Sequence, residues 1–327
     1  MIIVTGTKRS GTSMWMQILQ NSGFPVIGDA FMGVWKDSIE QANRKGFFES
    51  KLRLGINHTV NPNSQNGVYL HPLSTAHHAV KVFVPGLIRS DYAFLHRVIA
   101  TVRPWREYCS SIERLLAMED AYMMQLPNSE GGLSQQAKII LRKPNVHPAL
   151  IWWRDNFNLI FDAMSRQYPI QMVAYDRLLE QPEAIVSQTL EWLMASQPKD
   201  LLRVAPPEIS IERGIQTVDL QMRTQHGLSD IEVPLPSNIL AVFDAFYDCF
   251  YKGNSELTQE MRSKINDTQH VMEGIYKEQD LAGKKRKREA LEALGISAKA
   301  LRIALKRTQM EDMGLSNREI QSILGRR

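Results

Sequence analysis

The chain has 327 residues, of which 43% are hydrophobic and 23% are charged, enough for one large core and an appendage. Its two cysteines exclude a disulfide framework and predict reduced thiols in the cytoplasm, and no apolar run is long enough for a membrane span. A first strand that begins at the first residue predicts that no signal peptide precedes it.

Positive charge is concentrated at the C-terminal end. The whole chain carries a net +4, whereas residues 274–327 hold 13 Lys/Arg and 7 Asp/Glu, a net +6, which leaves −2 for residues 1–273. The basic character therefore belongs to the C-terminal part. We predict a catalytic domain over residues 1–253 and a basic helical extension over residues 254–327.

The chain opens with a strand, a glycine-rich turn and a helix. Residues 1–5 form a short apolar run typical of a buried parallel strand, and Gly6–Ser13 has the spacing G-x-x-x-x-G-T-S. Turn amides and a helix N-terminus in this order form an anion cradle. The nucleotide-hydrolase pattern has Lys where this chain has Thr12, and the cations lie earlier, at Lys8 and Arg9. The pattern predicts a phosphate loop with displaced charge; an ordinary glycine-rich turn is the alternative.

The stretch K-R-S-G-T-S-M-W resembles the loop that sulfotransferases wrap around the 5′-phosphosulfate of 3′-phosphoadenosine-5′-phosphosulfate (PAPS). An ATP-using enzyme would need the missing Lys and an acidic Mg²⁺ ligand, whereas a sulfuryl group carries less charge and needs no metal. An ATP-dependent small-molecule kinase of the P-loop class is the alternative. The resemblance assigns cofactor binding to Lys8, Arg9, Ser10, Gly11, Thr12 and Ser13.

A candidate base follows the loop. Residues 43–49, N-R-K-G-F-F-E, are similar to a segment at about this distance in a group of bacterial sulfotransferase-like proteins. Beside an aromatic wall, desolvation would raise the pKa of Glu49 and suit it to general-base catalysis. A solvated or salt-bridged surface Glu is the alternative, and the residues leave the two open.

The next strand, residues 79–85, carries Lys81 inside an apolar run, where a cation needs an anion to face. In cytosolic sulfotransferases a similar strand reads K-T-H-x-P, with Lys on the transferring group and His as the base. Lys81 and Pro85 keep that spacing, but Phe83 stands at the His position. This departure favours Glu49, because other sulfotransferase branches use a Glu. The alternative is a Lys that extends from a strand end towards solvent.

A third strand, residues 96–102, ends in Arg103 and Pro104, and the proline can open a helix. The run R-P-W-R-E-Y-C-S-S resembles the family's 3′-phosphate motif, which implies that Arg103 and Ser111 bind this phosphate. The neighbours that could substitute are Ser110, Arg106 and Arg114.

The rest of the domain carries weaker signals. Two irregular segments, 55–79 and 127–148, are predicted to border the acceptor site. The histidines of the first segment lack the Cys or carboxylate pattern of a metal centre, so no metal is expected. A late V-D-x-x-x-R run resembles the bacterial branch and adds Arg223 to the cofactor-binding residues.

The extension reads as a polar helix over residues 255–280, followed by a second helix that opens with five consecutive cations at 284–288. Cations at a helix N-terminus oppose its dipole, so an anionic partner such as nucleic acid is one interpretation. Dimer contacts through solvated helices are the favoured one.

The sequence thus predicts an α/β fold with a central parallel sheet, flanking helices, a P-loop-like turn and an α-helical C-terminal extension. The resemblance implies transfer of a sulfuryl group from PAPS to an acceptor hydroxyl or amine, with PAP (adenosine 3′,5′-bisphosphate) as product and Glu49, Lys81 and Arg9 as catalytic residues. No membrane partner is expected. A nucleic-acid-associated protein with a vestigial loop is the further alternative.

Overall fold

The central sheet has five parallel strands. The computed structural model describes residues 1–31, 40–62, 67–127, 133–195, 204–219, 233–253 and 257–297, with scattered positions from 300 onwards. The strands are β1 (Ile2–Gly6), β2 (Val26–Ile27), β3 (Ala79–Lys81), β4 (Arg97–Val102) and β5 (Ile170–Ala174). Their order is β2-β3-β1-β4-β5, and every pairing is parallel. The α/β fold class predicted from the sequence is confirmed.

Helices cover both faces of this sheet. They are α1 (Thr12–Ser22), α2 (Val84–Ile88), α3 (Trp105–Gln125), α4 (Gln135–Arg142), α5 (Pro148–Arg166), α6 (Tyr175–Glu180), α7 (Pro182–Met194), α8 (Ile211–Gln216), α9 (Ser237–Tyr251) and α10 (Gln259–Ala293). Short 3-10 turns lie at Glu40–Ala42, Lys51–Leu54 and Tyr92–Phe94. Among the described helices, none combines the length and apolar character that a membrane crossing requires.

The alternation of side chains along β1 explains the two-faced core. Ile3 packs into the larger cluster with α3, α5 and α9, whereas Ile2 and Val4 pack into a second cluster with α1 and α7. Successive strand residues point to opposite faces, and all five residues of β1 are buried. A continuous apolar strand is thus what a parallel sheet covered on both faces demands.

Three expectations about the elements were wrong. The strand expected over residues 79–85 ends at Lys81, and α2 begins at Val84 because Pro85 stands in the first turn of a helix, where proline is favoured. Strand β2 was not predicted, because a two-residue strand leaves no pattern to detect. The segment 127–148, expected to be irregular, contains α4, which Ser134 caps by accepting a hydrogen bond from the Ala137 amide. The described part of segment 55–79 is irregular, as expected, with turns and one isolated bridge between Pro62 and Tyr69.

The extension also differs from its prediction, because the basic run lies inside one continuous helix, α10, and does not open a new one. Gly283 does not break this helix. It lets α10 approach the backbone of Asn145, where an added Cβ would lie 2.1 Å from the carbonyl oxygen. Pairs one turn apart, Lys284–Asp280 at 2.6 Å among them, extend the helix across the run.

Helix α10 packs against the domain from Met261 to Lys287. Its apolar side chains Met261, Ile265 and Met272 are buried in the larger core cluster. Asn145 donates a 2.8 Å hydrogen bond to Asp280, and Lys287 donates one to the Leu141 carbonyl at 3.1 Å. The domain boundary at residue 253 stays a prediction, but core packing continues beyond it.

Candidate functional site

The sequence-predicted residues meet at the carboxyl edge of the sheet. From β1 the chain first builds β2 and β3 on one side and then crosses to β4 on the other, so the strand order reverses at β1. In open α/β sheets, ligands bind in the crevice at such a switch point. A pocket lies there, lined by the loop after β1, by Lys81 at the end of β3, and by Arg103 and Tyr175 after β4 and β5.

The loop after β1 follows a path that glycine makes possible. Gly6 has φ +143°, and an added Cβ would lie 2.5 Å from the Thr101 carbonyl oxygen. Gly11 has φ +103°, and its Cβ would lie 2.7 Å from the Tyr175 ring. Arg9 also has a left-handed φ, 75°, although it is not glycine. Backbone strain of this kind costs about 1–3 kcal/mol and clusters at functional sites.

Helix α1 begins at Thr12 directly beside the pocket. Its N-cap residue, Gly11, offers no side-chain acceptor, so the first amides of the helix lack a capping group. These amides and the helix dipole favour an anion at this end. Thr12 and Ser13 line the pocket, whereas Ser10 is fully buried beneath the loop, with its amide donating to the Thr7 carbonyl at 3.1 Å.

Arg9 is held by neutral groups. Its Nε donates to Ser111 Oγ at 3.1 Å and its Nη2 donates to the Ala42 carbonyl at 3.0 Å. No carboxylate pairs with Arg9 among the residues that the structure describes. Burial, with Arg103 and Arg114 nearby, lowers the pKa of Arg9 to about 10, which still leaves it charged at neutral pH. An incoming anion would supply the missing countercharge.

Lys81 faces an anion, as its burial demanded, and that anion is Glu49. Lys81 Nζ lies 3.0 Å from Glu49 Oε1, and both side chains are buried. Burial is the main cause that lowers the pKa of Lys81, and Glu49 opposes it while Lys8 and Arg9 add to it. The structure thus joins two catalytic candidates that the sequence had placed separately.

Glu49 combines one feature of each sequence interpretation: it is buried, as the base assignment expects, and it is salt-bridged, as the alternative expects. It is 3% exposed, so it is not a surface residue, yet it does not stand beside an aromatic wall alone. Besides Lys81, Arg53 approaches its other oxygen, with Nε 3.5 Å from Oε2. Phe47 lines the pocket. Phe48 has a left-handed backbone φ of 53°, and its side chain packs in the second core cluster.

Arg103 is fixed in the pocket wall from three sides. Its Nε donates to Glu107 Oε2 at 3.1 Å, and its Nη1 donates to the Arg9 carbonyl at 3.1 Å. The guanidinium lies 4.8 Å from the centre of the Tyr175 ring. Ser111, predicted to act with Arg103, instead accepts from Arg9 and is not among the residues that line the pocket.

The pocket therefore gathers most of the predicted residues. Lys8 is half-exposed at its rim, with its Nζ 3.9 Å from Glu119. The predicted site residues that line the pocket are Lys8, Arg9, Gly11, Thr12, Ser13, Glu49, Lys81 and Arg103. Arg223 lies outside the described residues. The enclosed space is about 90 Å³, which admits a phosphate or sulfate group, so a larger nucleotide would extend into the open mouth.

Three contributors were missed by sequence reasoning. Glu107 and Arg53 lie four residues after a predicted site residue, Arg103 and Glu49 respectively, and this i,i+4 spacing with opposite charge was a usable signal. Tyr175 follows the carboxyl end of β5, where ligand-binding residues of parallel sheets gather, and this position was its signal.

No three His, Cys, Asp or Glu side chains of the described ranges are arranged to hold a metal ion. Metal-independent binding stays a prediction. What the site offers chemically is a set of cations around helix-terminal amides, with the buried carboxylates of Glu49 and Glu107 paired to Lys81 and Arg103.

Comparison of the chain with protein-family models and with curated proteins finds no match in either.

Proposed function

We propose that this protein is a sulfotransferase that moves a sulfuryl group from PAPS to an acceptor hydroxyl or amine. The observation that carries the proposal is Arg9, a guanidinium without a carboxylate partner in the described part of the chain, at a phosphate-type loop. Thr12 stands in that loop where a nucleotide hydrolase has its Lys. The cations of the site would suit a nucleotide, while the loop departs from the pattern that ATP hydrolysis uses.

PAPS would supply the sulfuryl group as donor substrate. The amides at the start of α1, with Arg9, would hold its 5′-phosphosulfate, and Arg103 would hold the 3′-phosphate through the guanidinium N–H groups that Glu107 and the Arg9 carbonyl leave free. Lys81 would stabilise negative charge on the transferring group, because fixed cations at a desolvated site act most strongly on developing charge.

Glu49 would act as the base. The proton of the acceptor passes to its carboxylate as the acceptor oxygen or nitrogen bonds to sulfur. The bond between sulfur and the 5′-phosphate oxygen breaks, and its electron pair leaves with PAP. Glu49 lies beside Lys81 at the pocket, so acceptance of the proton and stabilisation of the transferring group would occur at neighbouring atoms.

The experiment compares PAP with ATP and Mg²⁺ in thermal shift and calorimetry, using the full-length chain. PAP without metal is expected to raise the melting temperature, because ligand binding to the folded state stabilises it. A larger shift with ATP and Mg²⁺ than with PAP would contradict the proposal and favour the kinase alternative. Transfer of ³⁵S from labelled PAPS to an acceptor library then tests the reaction itself.

The nucleic-acid alternative gains no support from α10. Within the basic run, Lys285 lies 3.9 Å from Glu289 and Arg288 lies 4.0 Å from Glu292. Lys287 is used by the Leu141 carbonyl. Pairing within the helix reduces the positive field that a phosphate backbone would need.

A further inference from the structure

Lys81 is already saturated with acceptors. Its Nζ donates to Ser13 Oγ at 3.2 Å, to the Phe47 carbonyl at 3.1 Å and to Glu49 Oε1 at 3.0 Å. An ammonium group has three N–H donors, so all are engaged. A ligand that needs Lys81 must therefore replace one of these partners.

Glu49 is the partner that a ligand anion would replace, because it is the one that carries charge. Lys81 touches Ser13 in the first turn of α1, so the sulfuryl end of a phosphosulfate whose phosphate sits on that turn would come within reach of the same ammonium. A lysine ammonium is a compact charge on a flexible stem, and rotation can move it between neighbouring acceptors.

Arg53 can hold Glu49 without Lys81. Its Nε is 3.5 Å from Oε2, the oxygen that Lys81 does not contact. Arg53 is itself anchored, since its Nη1 donates to the Ser50 carbonyl at 3.2 Å and its own carbonyl accepts from the Phe83 amide at 3.0 Å. Two cations thus contact the Glu49 carboxylate: Lys81, whose flexible stem lets its ammonium rotate, and Arg53, which is anchored by its other contacts.

We propose that Glu49 stays paired with Lys81 until the donor binds. The sulfuryl group of PAPS then draws the Lys81 ammonium away from Glu49 Oε1, and Arg53 keeps the released carboxylate in position. Arg53 is a positioning residue in this scheme. The inference rests on the proposed function and adds its regulation: the base becomes free to take the acceptor proton only when the donor is in place. Proton acceptance by Oε1 is therefore coupled to donor occupancy.

The scheme makes Glu49 a competitor of the donor for Lys81. Removing its charge should release Lys81 and tighten binding of PAPS, whereas PAP, which lacks the sulfuryl group, should bind as before. If Lys81 is engaged in most unliganded molecules, the gain equals the reciprocal of the free fraction. A purely structural ion pair would give the opposite result, since its loss would weaken both ligands.

The test measures dissociation constants of PAPS and PAP by metal-free calorimetry for the full-length wild type, Glu49→Gln, Lys81→Met and the double variant. We expect Glu49→Gln to bind PAPS about 5–30-fold more tightly, with less than about a twofold change for PAP. Lys81→Met should weaken PAPS alone, and Glu49→Gln should bring no gain in that background. The double variant removes both charges of the Glu49–Lys81 pair, so neither of the two is left buried and unpaired, and this limits the loss of stability.

A second arm tests Arg53 by PAP release from PAPS with water as acceptor. Arg53→Gln should lower kcat about 10–100-fold without changing PAPS affinity, and Arg53→Lys should recover most of it. A structural Arg53 would instead lower the melting temperature and the affinity for PAP together, which would overturn its assignment.

The outcomes separate the two proposals. If Glu49→Gln weakens PAPS and PAP alike, the competition is refuted while nucleotide binding stands. If folded wild type binds neither nucleotide, the proposed function falls, and the competition with it.

Discussion

Replacement of Arg103 by Ala should abolish most of the discrimination between PAP and adenosine 5′-monophosphate, which lacks the 3′-phosphate. Hydrogen bonds to charged groups contribute about 1.5–3 kcal/mol each, and a buried bidentate contact should be worth about 2–4 kcal/mol. That free energy corresponds to a ratio of dissociation constants of roughly 30–1,000-fold in the wild type. The ratio should approach one in the variant.

Replacing Arg103 by Ala is also expected to lower the stability of the protein. Arg103 and Glu107 are a buried pair, with side chains 6% and 7% exposed and Nη2 3.1 Å from Oε2. Removing one member of such a pair typically destabilises a protein by about 3–5 kcal/mol, because the remaining charge stays buried. Arg103→Ala alone could therefore lose binding through unfolding.

A double-mutant cycle separates the two effects. Glu107→Gln in the same chain removes the stranded charge, so Arg103→Ala/Glu107→Gln should melt above Arg103→Ala. Calorimetry with both nucleotides on all folded variants then reports discrimination without the stability loss. If the double variant distinguishes the nucleotides as well as the wild type does, Arg103 does not bind the 3′-phosphate.

Three further results are expected. Glu49→Gln should lower turnover by about 10²–10⁴-fold with PAP affinity unchanged, whereas His77→Gln should cost far less; the reverse pattern in steady-state kinetics would contradict the base assignment. A chain ending after Gly253 loses the three α10 side chains that are buried in the larger core cluster, on the order of 5 kcal/mol, and should melt well below one ending after Gly295; equal melting temperatures would show that α10 is dispensable. Burial raises the pKa of Asp155 from its usual 3.8 to about 6. The folded chain thus prefers the protonated form and loses stability as the pH rises through this window, so Asp155→Asn should raise the melting temperature at pH 7.5 and leave it unchanged near pH 4, as calorimetric scans can check.

The fold was predictable because its signals are local. Apolar runs, the glycine spacing and the breakers around each helix all lie within a few residues of the elements that they specify. Where the local signal was thin, the prediction failed. Val26–Ile27 is too short to show a period, and Gly283 lies mid-helix because of a contact with Asn145 that no sequence pattern reports.

The site was predictable as a set of residues but not as a set of partners. Glu49 and Lys81 are separated along the chain, and each was assigned a ligand as partner because nothing in the sequence says that β3 brings them together. The family resemblance assigned Ser111 to the 3′-phosphate together with Arg103, whereas in the fold its hydroxyl accepts a hydrogen bond from Arg9. Partner choice depends on tertiary contacts, and these follow from the whole sheet rather than from any motif.

The sheet also supplies the reason to prefer Glu49 over a histidine. His77 and His78 precede β3, and the Ile2 amide donates to the His78 carbonyl, so both lie at the amino edge of the strands. The pocket lies at the carboxyl edge, beside Lys81.

Of the other carboxylates that line the pocket, Asp219 is paired with Lys45 at 2.8 Å and Glu119 faces Lys8 at 3.9 Å, both away from Lys81. Variants of these two acids, changed to Asn and Gln, are therefore the matched controls for Glu49→Gln: only the carboxylate that contacts Lys81 should govern turnover.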